Sequence, residues 1–94
     1  MVMSHYKKSI SSGILTNSAR IFEEEGWLNG AILTGGSTDS IVTFWDSADE
    51  DLGGKLEVGY ISQAVPHFDY SVHVRYGIYA EAEDGAEFMC LYDK

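Results

Sequence analysis

No window of this chain places apolar residues at i, i+3, i+4 and i+7 over three turns, so no amphipathic helix is expected anywhere in it. The nearest approach, ARIFEEEGW, reaches Gly26 after two turns. What recurs instead is a short run rich in Ile, Val, Phe, Tyr or Trp, then a glycine-rich break. The runs are Gly13 to Thr16, Ala19 to Glu24, Trp27 to Thr34, Ser40 to Asp46, Lys55 to Ser62, Ser71 to Tyr76, Gly77 to Glu83 and Ala86 to Tyr92. Asp84-Gly85 is the tightest hairpin signal, because both turn positions tolerate positive φ. Pro66 falls in the connection Ala64 to Tyr70, where it removes no ladder bond. Strands spaced roughly 8–12 residues apart predict an all-β fold. The expected architecture is a small antiparallel β-sandwich, jelly-roll or Ig-like, or a partly open barrel, of about 7–8 short strands.

Ninety-four residues make one domain with one core. We expect a β-sandwich over residues 13–94 behind a basic N-terminal arm, residues 1–12. Lys7 and Lys8 lie in that arm, which holds no acid. The whole chain carries 15 acids against 6 Lys and Arg, a net charge of −9, so nucleic acid is not an expected partner. No apolar run approaches the ~20 residues that span a bilayer, so a membrane is not expected either. MVMSHYKKSISSG has no apolar segment behind its lysines and does not read as a secretory signal. The single cysteine, Cys90, excludes an internal disulfide and fits a small buried apolar group in EFMCLY.

Alternation assigns faces. In SIVTFWD, Val42 and Phe44 point one way and Ile41, Thr43 and Trp45 the other. In AEFMCLY, Ala86, Phe88, Cys90 and Tyr92 share a side, and Met89 and Leu91 share the opposite one with Glu87. Both strands are thus apolar on two faces, whereas a two-sheet monomer needs one dry face per strand. A second copy is the economical cover, so a homo-oligomer is expected.

Chemical motifs are sparse. Asp46, Asp49, Glu50 and Asp51, followed by Gly53, supply oxygen ligands of the kind calcium takes. Their spacing departs from D-x-[DN]-x-[DN]-G, so they read first as a solvated hairpin loop whose charge blunts an edge, with calcium only a weak candidate. His67, Asp69 and His73 could form a two-histidine, one-carboxylate set on paper, but Phe68, Tyr70, Val72 and Val74 would then face the core. GGSTDS lacks the G-K-[ST] ending of a phosphate loop and reads as a turn. No G-x-S-x-G occurs, no cofactor is called for, and no enzyme is expected. Twelve aromatic residues, six of them tyrosine, suit either a protein interface or a sugar-stacking surface.

The segment GWLNGAILTGGSTDSIVTFWDSADEDLGGKL, followed later by VRYGIYAEAEDGAEFMCLYD, resembles a loose group of small phage virion proteins. The matching positions are Gly30, Thr43, Asp46, Gly54, Gly77, Ile78, Tyr79 and Tyr92, within residues 26 to 93, about three quarters of the chain. The acid content and the N-terminal arm depart from that pattern. The resemblance implies a β-sandwich located in the virion: a capsid decoration (cement) protein, or alternatively a glycan- or receptor-binding module of a tail or fibre. The expected partners are further copies of the chain, a trimer ahead of a dimer, and other virion proteins such as the major capsid protein. Tyr6, Lys7 and Lys8 in the arm, with Trp45, Met89 and Leu91 on the second faces, are the expected contact residues.

Overall fold

The computed structural model describes residues 9–93. It contains nine strands and no helix among them: β1 Ile10–Ser11, β2 Ala19–Phe22, β3 Gly26–Gly35, β4 Ile41–Asp46, β5 Leu56–Ser62, β6 His67–Phe68, β7 Val72–Val74, β8 Ile78–Glu83 and β9 Glu87–Asp93. Every pairing is antiparallel. Sheet A runs β1-β9-β3, with β6 and β7 sharing the far side of β3; sheet B runs β2-β8-β4-β5. The two sheets pack face to face, as the sequence predicts for a β-sandwich.

Four details depart from the sequence reading. The strand expected over Gly13 to Thr16 reduces to a single bridge between Leu15 and Phe88, because Gly13 adopts φ +72° and breaks the run. The chain enters sheet A earlier, where Ile10 and Ser11 pair with Tyr92 and Leu91, so residues 9–12 of the expected arm belong to the sandwich. Tyr6, Lys7 and Lys8 lie outside the described residues. A two-residue strand, β6, sits inside the expected connection and pairs with Ala31 and Ile32 of β3. The run expected over Ser71 to Tyr76 is a strand only at Val72–Val74.

The core lies between the sheets. Val42 and Phe44 from β4, Phe88 and Cys90 from β9, Leu28 and Ala31 from β3, and Ile61, Val74, Ile78 and Ala80 are all buried. Phe44 sits at its centre, edge-on to Phe88 (6.0 Å between ring centroids) and to Phe68 (5.9 Å), and Phe68 stacks on Tyr70 at 4.7 Å. This aromatic column reaches from sheet A through sheet B to the flank where β5 faces β6. There a side chain on Gly59 would crowd the Phe68 ring, whose nearest atom would lie 3.1 Å from an added Cβ.

A bulge in β3 decides which residues face out. Leu28 pairs with Tyr92, yet Gly30 pairs with Leu91, leaving Asn29 as the extra residue. Leu28 is therefore buried on one side of the bulge and Ala31 on the other, while Ile32 turns outward opposite Met89. The bulge is held by its own side chain. Asn29 Nδ2 donates to Ser9 Oγ (2.8 Å) and Asp93 Oδ2 (3.0 Å), and Ser71 Oγ donates to Asn29 Oδ1 (2.9 Å). Asp84 (φ 56°) and Gly85 (φ 70°) form the tight turn that the sequence announces, but it joins the two sheets and closes no hairpin: β8 pairs with β2 and β4, and β9 with β1 and β3.

Burial pushes the Cys90 thiol up to about 11, against a weaker opposing hydrogen bond to Ser12. The neutral thiol is thus favoured by folding. Its contribution is full below the free-thiol value of about 8.5 and is lost as pH rises towards about 11. At pH 8 roughly 0.1% of such a thiol is ionised, against about a quarter of an unfolded one. Iodoacetamide should therefore label the native chain at least ~100-fold more slowly than the urea-unfolded chain. Equal rates would show that Cys90 is not enclosed.

Candidate functional site

The acidic loop is not one site. Val42, Phe44 and Asp46 share a face of β4, so the pleat turns Asp46 inward with the core residues. Asp46 is only 6% exposed, and its carboxylate accepts three backbone hydrogen bonds. Arg75 N–H lies 2.9 and 3.0 Å from its two oxygens, and Tyr76 N–H donates to Oδ1 at 2.8 Å. These bonds end β7 and fix the turn into β8. Asp49 Oδ1 instead accepts from the Asp51 N–H (2.9 Å), and Asp51 Oδ1 from the Gly53 N–H (3.4 Å). Glu50 reaches out to Arg20 Nη2 at 2.9 Å. A hydrogen bond from its own backbone, then the Arg20 contact, holds the Glu50 carboxyl below its usual value. The structure does not gather Asp46, Asp49, Glu50 and Asp51 into one ligand set: each carboxylate serves a different local partner, and among the described residues no three such groups converge.

Asp46→Ala should cost about 1–2 kcal/mol, since it removes the charged acceptor of two part-buried N–H groups. Asp46→Asn should cost about half as much, because one oxygen remains. Urea denaturation reads both. A loss below about 0.5 kcal/mol for the alanine variant would mean the turn holds without the carboxylate.

The histidines are also apart. His67 sits opposite Ile32 and His73 opposite Trp27, five residues away along β3. At about 3.3 Å per residue that is roughly 16 Å, too far to share a ligand. His73 pairs with Glu25 (Nε2 to Oε2, 2.8 Å) and packs on Trp27 with ring centroids 5.1 Å apart.

The expected contact residues divide between two sides of the molecule. Met89 and Leu91 lie on the outer face of sheet A, where Ile32 joins them across the β3–β9 register. Ile32 is 44% exposed and Leu91 40%, and Met89 is half-buried between them. A shallow groove of about 230 Å³ follows this stripe, bounded by Gly30, Phe68 and Asp69. Trp45 lies on the outer face of sheet B, between Tyr79 and Glu57, and is half-buried with its indole N–H enclosed and without an acceptor. It cannot share one contact patch with Met89 and Leu91. Ile32 was hidden from strand alternation by the bulge, although Gly30 within an apolar run is the signal that a bulge leaves.

No protein-family model matches the chain, and no curated protein matches it either. The resemblance to small phage virion proteins therefore stands on the quoted positions alone. Several of those positions have backbone duties. Gly30 sits where an added Cβ would lie 2.9 Å from the Phe68 carbonyl oxygen. Asp46 anchors the β7–β8 turn, and Gly77 lies against β2. Such residues report the fold more directly than they report a partner.

Proposed function

We propose that this chain is a structural subunit that works by assembling: a capsid-decorating protein of a phage particle, whose copies associate through the outer face of sheet A. The observation that carries this reading is the open apolar stripe of Ile32, Met89 and Leu91. One dry face per sheet suffices for a sandwich, and a second apolar patch marks a contact surface. A further copy of the chain is the occupant, because the same stripe repeated about a two-fold or three-fold axis covers itself. Placement in the virion is supported by the resemblance in Gly30, Asp46, Gly77 and the other quoted positions. A protein that binds the assembled shell and not its free parts stabilises the shell by mass action.

Sedimentation velocity tests the association. At high micromolar concentration the sedimenting species should be a multiple of the 10.4 kDa chain. The net charge of −9 opposes association, so added salt should favour it. The double substitution Ile32→Glu, Leu91→Lys, at exposed positions, should give a folded monomer. A wild-type monomer at both low and high salt would sink the assembly reading. For the decoration role, purified chain added to shells lacking it should raise their temperature of disruption; an unchanged temperature speaks against it.

A further inference from the structure

At the end of the sandwich where the β4–β5 loop meets the β7–β8 turn, a cavity of about 370 Å³ opens. Its walls are Lys55, Leu56, His73, Arg75 and Tyr76, with Asp46 beneath them. The charge of these walls runs against the rest of the molecule. Three of the chain's six Lys and Arg lie among the described residues: Arg20, Lys55 and Arg75. Arg20 is paired with Glu50. Lys55 and Arg75 form no ion pair among the described residues, although the chain has 15 acids, and both line this one cavity. The Asp46 carboxylate is close but committed, its two oxygens held by the N–H groups of Arg75 and Tyr76. His73 is likewise occupied by Glu25.

The cavity is also shaped before any ligand arrives. Asp46 fixes the backbone of Arg75 and Tyr76, which sets where their side chains emerge. Lys55 Nζ rests over the Tyr76 ring, 5.5 Å from its centroid, which holds the ammonium at the cavity wall. Leu56, 70% exposed, and the open Tyr76 supply apolar surface beside the two cations. An inorganic anion would leave that apolar surface unused, and a lipid chain would leave the cations unmatched.

We propose that this cavity binds a small organic carboxylate of monosaccharide size, of the hexuronate class. The carboxylate pairs with Arg75 and Lys55, and the body of the ligand lies against Leu56 and Tyr76. This site is on different residues from the sheet A stripe and does not depend on the assembly reading. Both cations are solvent-accessible, so the affinity is in the millimolar range and falls with salt.

The test uses the isotope-labelled full chain and sodium glucuronate as the probe, followed by amide NMR. Saturable shifts are expected at Gly54, Lys55, Arg75 and Tyr76, weakened by added sodium chloride. Glucose, the same body without the charge, should give none, and acetate, the charge without the body, should bind about tenfold more weakly. The double variant Lys55→Ala, Arg75→Ala should lose the response while keeping a dispersed spectrum. Leu56→Ala, which leaves both cations in place, should weaken glucuronate and leave acetate unchanged. Absence of saturable shifts with glucuronate overturns the proposal. So does an equal response to glucose, acetate binding as tightly as glucuronate, or a response that survives in the double variant.

Discussion

Phe44→Ala is expected to remove about 4 kcal/mol of stability and to lower the melting temperature by roughly 20 °C. The ring is fully buried and meets Phe68 and Phe88 edge-on, so truncation loses its transfer energy, leaves a void and breaks two aromatic contacts at once. The sheets cannot close over the gap easily, because β4 is paired on both sides, to β5 and to β8. For a domain whose whole stability is of the order of 5–15 kcal/mol, this one ring decides whether the variant is folded at 37 °C. Phe44→Leu should cost about half as much. Urea denaturation of the three proteins measures both differences. A cost below about 1.5 kcal/mol for the alanine variant would show that the centre of the core lies elsewhere.

The second large effect is expected at Gly77. Its φ is +141°, which L side chains rarely adopt, and an added Cβ would fall 2.2 Å from the Phe22 carbonyl oxygen and 3.0 Å from the Glu23 Cα. Both obstacles are backbone, so no rotamer change relieves the clash. Gly77→Ala therefore combines strain at the residue with forced separation of β2 from the start of β8, together about 3–5 kcal/mol. Gly54 is the matched control. Its φ is also positive, +74°, but the space around it is open, so Gly54→Ala should cost only about 1 kcal/mol. Equal costs at the two sites would mean that conformational preference alone is being measured and that β2 does not approach as closely as described.

The parts of the fold visible in the sequence are those with a regular period. Val42 and Phe44 alternate strictly and are buried; Phe88 and Cys90 do the same; Asp84-Gly85 announces its own turn. Two-residue strands cannot display a period, which is why β6 looked like loop. The run Ser71 to Tyr76 is longer than the strand it yields because Arg75 and Tyr76 give their N–H groups to Asp46 and not to a neighbouring strand. The acidic loop misled for a related reason. Adjacency in sequence grouped Asp46 with Asp49, Glu50 and Asp51, but the same period of two that buries Val42 and Phe44 carries Asp46 inward as well. The cavity between Lys55 and Arg75 joins residues twenty positions apart through the meeting of two loops, and no local pattern announces that.

The strand order has a consequence for how the chain is made. The first strands pair with the last: β1 with β9 and β2 with β8, while β3 lies along β9 for most of its length. Only β4 and β5 form a hairpin whose two halves leave the ribosome early. Sheet B therefore cannot close until synthesis has passed β8, nor sheet A until it has passed β9, so Phe22 waits for Ile78 and Leu28 for Tyr92. Emergence of the last two strands, and not of the N-terminal half, sets the moment at which the sandwich can be completed.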